Sequence, residues 1–169
     1  MASSSAAQGT ASGVTPSASD LDDVREVLED LLETTRDGEY GFRTCAEEVD
    51  APDLKRVFTE RAAECARSAS ELTQLIRQCG GTADDTSGSV SGALHRGWVH
   101  VKSAVGANSA LSILEECERG EDAAVARYRK AMKANLPPDV RTVVERQAQG
   151  AQRNHDQIKA LRDQMRARG

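Results

Sequence analysis

From Leu21 to Met165 apolar residues return every three or four positions, in four long runs. The first is Leu21, Val24, Leu28, Leu31, Thr35, Gly38, Phe42, Cys45 and Val49. The second is Leu54, Phe58, Ala62, Cys65, Ala69, Leu72, Ile76 and Cys79. Ala110, Leu114, Cys117, Glu121, Ala124, Tyr128 and Ala131 make the third, and Val140, Val144, Gln147, Ala151, His155, Ile158, Leu161 and Met165 the fourth. Each run is the stripe of an amphipathic helix with one face turned to a common core. Ser19 or Asp20 is the expected N-cap of the first helix. Asp50-Ala51-Pro52-Asp53 predicts the break before the second, Gly80-Gly81 its end, and Leu136-Pro137-Pro138-Asp139 the break before the fourth.

The connections set the architecture. Helices one and two, like three and four, are separated by only a few residues, so each pair is an antiparallel hairpin. Between the pairs lie roughly 30 residues, far more than a bundle turn of about 2–8 requires. A helix as long as the second spans about 40 Å at 1.5 Å per residue, and a connection of this length can return along it. Within it Leu94, Trp98, Val101 and Val105 recur on one face of a short helix, with Trp98 as its anchor. The pattern therefore predicts an all-α, ferritin-like antiparallel four-helix bundle with a long crossover carrying a short helix between helices 2 and 3.

Composition sharpens this without naming an activity. The 169 residues carry 3% aromatics and 29% charged side chains, with a net charge of −5. That excludes an aromatic stacking platform for single strands and a cationic field for nucleic acid or anionic membrane. The absence of an apolar run of about 18 residues predicts no membrane span. Residues 1–19 are rich in Ala, Ser, Gly and Thr and lack Lys and Arg; they read as a disordered tail, neither a secretory leader nor core, and residues 20–169 as the bundle domain. With no sign of export, Cys45, Cys65, Cys79 and Cys117 are expected to be reduced thiols in a cytoplasmic protein. The basic end, Lys159 to Arg168, suits a helix C-terminus.

Polar residues interrupt the stripes at one level. Glu39 precedes the first turn by about as much as Glu60 and Glu64 follow it, and Glu118 and Glu121 face Gln152 and His155 across the second. One polar group per helix at one depth is how carboxylate-bridged metal pairs are built in bundles. Helix three adds weight: Glu115, Glu116, Glu118, Glu121 and Asp122 crowd together, although like charges three or four apart destabilise a helix unless cations are near. Glu121 lies on the apolar stripe itself, where an unpaired carboxylate is expensive. The competing reading pairs these acids with Arg61, Arg67, Arg119 and Arg153.

Several motifs carry a family resemblance. Asp37-Gly38-Glu39-Tyr40-Gly41-Phe42, Gly92-Ala93-Leu94-His95-Arg96-Gly97-Trp98 and Glu116-Cys117-Glu118-Arg119-Gly120-Glu121-Asp122 are three of them. Leu136-Pro137-Pro138-Asp139-Val140 and Glu145-Arg146-Gln147 are the others. Together they resemble a bacterial ferritin-like four-helix-bundle family, domain of unknown function 2383, over about residues 21–165. The resemblance implies the fold and no function. Ferritin-like di-iron proteins use Glu-x-x-His on two helices. Here Glu60 is followed at that spacing by Ala63, Glu64 by Arg67, and helix four offers Gln152-Arg153-Asn154-His155.

Two functions fit. One is a non-enzymatic role in self-association, as a homo-oligomer, or in binding a protein partner. The other is metal binding, storage or oxidation at Glu39, Glu60, Glu64, Glu118, Glu121, Gln152 and His155, for which iron or manganese suits the carboxylate-rich set better than copper(I). Any enzymatic activity is expected to be ferroxidase-like. His95 and His100, five residues apart, do not share a helix face.

Overall fold

Ser17 opens the first helix. Its hydroxyl accepts the Asp20 N–H at 3.2 Å while the Asp20 carboxylate accepts the Ser17 N–H at 3.0 Å. This reciprocal capping box satisfies two of the orphan donors at a helix start. The cap is therefore Ser17, with Asp20 in the first turn, and the helix begins two residues ahead of the expected boundary. The computed structural model describes residues 15–82 and 110–169. The expected short crossover helix with Trp98, His95 and His100, and all but the end of the expected tail, lie outside the described residues.

Four helices follow: α1 (Ala18–Glu48), α2 (Pro52–Gln78), α3 (Ala110–Ala131) and α4 (Pro138–Arg168). Pro52 and Pro138 occupy the first turns of α2 and α4, where a missing N–H costs nothing. Beyond α2 the chain turns at Gly80, whose φ of 81° lies in the left-handed region that glycine tolerates. α1 packs on α2 and α3, and α4 packs on α3 and, more sparsely, on α2. The described residues are all-α.

The core is divided. One apolar cluster gathers the first half of α1 (Val24, Leu28, Leu31), the end of α2 (Leu72, Ile76), the end of α3 (Tyr128) and the start of α4 (Val140, Val144). The second gathers the end of α1 (Phe42, Cys45), the start of α2 (Leu54, Phe58), the start of α3 (Ile113, Leu114) and Ile158 of α4. Phe42 and Phe58 anchor it with ring centroids 6.2 Å apart. This segregation fixes the helix directions: α1 and α4 run one way, α2 and α3 the other. The four cysteines are free thiols, and Cys117 and Cys45 meet sulfur to sulfur at 3.5 Å between α3 and α1. Among the described residues no helix is long and apolar enough to cross a membrane.

Candidate functional site

Between the two apolar clusters the four helices carry small and polar residues, and the interior opens into a cavity of about 850 Å³. Its wall includes Thr35 and Gly38 of α1, Cys65 of α2, Glu121 and Ala124 of α3, and Gly150 of α4. Gly38 is a point of close packing, because a Cβ there would lie 2.9 Å from the Cys65 sulfur, which would have to shift. Burial pushes the Cys65 thiol up to about 12, so it is a neutral wall group.

Glu121 holds the stripe position expected of it and is only 5% exposed. No hydrogen bond or ion pair reaches its carboxyl among the described residues. Burial raises its pKa to about 7, opposed by the nearby Arg61 and His155 cations and reinforced by Glu64 and Asp122. Glu64 is satisfied differently. Arg61, itself buried, donates to it at 2.5 Å, and Asn154 of α4 donates to the same oxygen at 3.1 Å. Arg61 also reaches Gln157 at 2.8 Å, so this cluster ties α2 to α4.

A second polar group sits on the α3–α4 side. Glu118, Asp122 and His155 each present one donor atom, all within 4.8 Å of one another. His155 Nε2 lies 2.7 Å from Asp122 Oδ1. Its other ring nitrogen meets Asp156 at 3.1 Å, and Gln152 donates to the same Asp156 oxygen at 3.0 Å. Burial of the ring disfavours its cation, yet the bonds to Asp156 and Asp122 outweigh this and raise the His155 pKa. Glu118, largely buried, is paired with Arg162.

The expected site residues thus separate. Glu121 and Glu64 line the cavity, while Glu118 and His155 join Asp122 on the α3–α4 face. Gln152 acts behind His155 through Asp156. Glu39 pairs with Arg43 beside an outer α1–α2 groove, and Glu60 is solvent-exposed. Neither belongs to the His155 group, because a common depth fixes height on a helix and not the direction a side chain faces. The arginine pairing weighed against metal holds for Glu64 with Arg61, and Arg119 takes the buried Glu116 at 2.6 Å. Asp122 is the member that depth counting passes over. Its spacing of four from Glu118 was its signal, since residues that far apart share a helix face.

A model of the family described as domain of unknown function (DUF2383) matches residues 23–134. The chain belongs to this family. No curated protein matches it. The DUF2383 match covers nearly all of α1, then α2 and α3, and stops before α4. Within the His155 group, Glu118 and Asp122 therefore lie inside the matched span and His155 outside it.

Proposed function

We propose that this DUF2383 chain is a ferritin-like bundle that binds one divalent first-row transition metal ion, iron or manganese, through Glu118, Asp122 and His155. The helix directions support the ferritin-like reading, since α2 ends in one apolar cluster and α3 begins in the other. The observation that carries the metal reading is the bracing of His155. A ligating imidazole is ordinarily held by a carboxylate on its second nitrogen, which fixes its tautomer and orientation. Asp156 stands there, held in turn by Gln152, while Nε2 faces the two acids.

The donor set fits such an ion. Two carboxylates and one imidazole form a hard to borderline site suited to iron(II) or manganese(II). Glu118 and Asp122 come from adjacent turns of α3 and His155 from α4, so the ion would pin this hairpin. Asp122 is exposed on the outer side, which leaves further coordination positions to water and makes the ion exchangeable. Arg162 pairs with Glu118 and holds that carboxylate in place when no ion is bound. Bound metal would supply Lewis acidity or one-electron chemistry; the chain supplies the orientation.

Metal analysis after growth with iron and manganese tests this. The wild type is expected to retain close to one ion per chain, and His155→Ala and Asp122→Asn to lose it. Glu60→Gln and Glu39→Gln should retain it. Less than about 0.1 ion per wild-type chain, or equal loading in His155→Ala, overturns the proposal.

A further inference from the structure

The central cavity is separate from the His155 group, and its own features point to a ligand. At about 850 Å³ it falls within the roughly 300–1,000 Å³ of small-molecule sites. The space is built in by mid-helix glycine and alanine. Gly150 is informative here, because a Cβ placed on it would meet only the Arg153 guanidinium, at 3.8 Å. Packing among the described residues does not demand glycine there, and glycine inside a helix is destabilising by about 0.5–1 kcal/mol relative to alanine. What its missing side chain leaves is an opening.

That opening lies in the sparse α2–α4 seam. On one side Asn154 donates to Glu64, and on the other Gln147 donates to the Ser68 carbonyl at 3.4 Å and Arg146 pairs with Glu71. These ties stand four residues apart on α2 and seven apart on α4, roughly 6–10 Å along the helices. Arg67 of α2 and Arg153 of α4 line the cavity at this stretch, and both are exposed. The other arginines of the wall are engaged: Arg119 with Glu116, Arg127 with Thr34 and Asp30, Arg146 with Glu71. Arg67 and Arg153 have no acceptor among the described residues. Two guanidinium groups without acceptors at a mouth suit a carboxylate or phosphate, which they bind with paired hydrogen bonds.

Inside, the requirement is of another kind. Glu121 faces the cavity, 5% exposed and without a hydrogen-bond partner among the described residues. Its carboxyl opens onto the cavity space, where a donor on a ligand can reach it. Tyr128 does not do so, since its hydroxyl is spent on Gln147 at 2.9 Å.

We propose that this cavity binds a small organic anion, a carboxylate or a phosphate monoester, whose body carries a hydrogen-bond donor; the anion sits between Arg67 and Arg153 and the donor reaches Glu121. The proposal does not rest on the metal reading, and its test is run with a chelator present so that the two fail separately.

Calorimetric titration with adenosine 5′-monophosphate and with 4-aminobenzoate probes the phosphate and carboxylate forms; adenosine and benzoate lack the anion and the donor respectively. At least one complete probe is expected to bind with a Kd below about 1 mM, and its truncated counterpart at least about tenfold more weakly. Arg67→Ala and Arg153→Ala remove exposed side chains without partners, so both variants should fold, and each should weaken binding about tenfold. Gly150→Leu, with folding checked by circular dichroism, should abolish it. The proposal is overturned if neither complete probe binds, if the truncated counterpart binds as tightly, or if both arginine variants bind like the wild type.

Discussion

Glu121 is the residue on which burial and charge conflict most directly. An ordinary carboxyl near 4.5 is raised here to about 7 by desolvation. The folded state therefore holds a proton that the unfolded chain has released between those values. For an acid raised in this way the stabilising contribution is complete below pH 4.5 and is lost as pH rises through about 7. The span corresponds to about 3 kcal/mol. Glu121→Gln keeps the shape and removes the titration. Chemical denaturation at pH 4 and pH 8 should show the stability difference between variant and wild type moving by about 3 kcal/mol in the variant's favour at the higher pH. An unchanged difference would mean that the carboxylate is solvated or paired in solution. The same side chain was conspicuous in the sequence, because it is the one acid on an otherwise apolar stripe. Asp122 was less so: its role depends on which way α3 turns toward α4, and no count along a helix supplies a rotation.

At the scale of elements the periodic pattern carried furthest. The stripes of α1 and α2 are buried nearly residue for residue, and the prolines and Gly80 mark the breaks. The start of α1 was displaced because the capping box lies in a Ser-rich stretch where several residues qualify, and only the reciprocal bonds choose Ser17. Mid-helix glycines are a different matter, since spacing says that they are small and not why. Gly38 and Gly150 should respond oppositely to alanine. At Gly150 the new methyl group meets open space and only a distant guanidinium, so Gly150→Ala is expected to stabilise by about 0.5–1 kcal/mol through helix propensity. At Gly38 it would press on the Cys65 sulfur at 2.9 Å, and overpacking of this kind costs about 1–3 kcal/mol. Thermal melts of the two variants decide it; equal signs would show that α1 and α2 pack differently at this level.

Over the whole molecule, two apolar clusters hold the ends of the helices together, and the polar level between them carries both the cavity and the neighbouring acid–histidine group. The level itself was readable from the sequence because turns fix the height of every residue on a hairpin. Its division into an inner and an outer site was not, since that depends on how the helices rotate once packed. This arrangement makes pH act in opposite directions on the free and metal-bound forms. Without metal, Glu121 and His155 both have raised pKa values, and both stabilise the fold at low pH and lose that contribution as pH rises. Metal needs the neutral imidazole, so below the His155 pKa each unit of acid weakens binding about tenfold. Thermal unfolding at pH 5.5 and pH 7.5, with chelator and with manganese(II), should separate the two effects. The chelated protein should melt lower at pH 7.5 than at pH 5.5. Manganese at about 100 times its dissociation constant should add about 2.7 kcal/mol at pH 7.5, a rise of roughly 5–10 °C for a chain of this size. At pH 5.5 the same concentration should add much less. A manganese shift of equal size at both values would remove His155 from the ligand set and leave the two acids of α3 binding the ion without it.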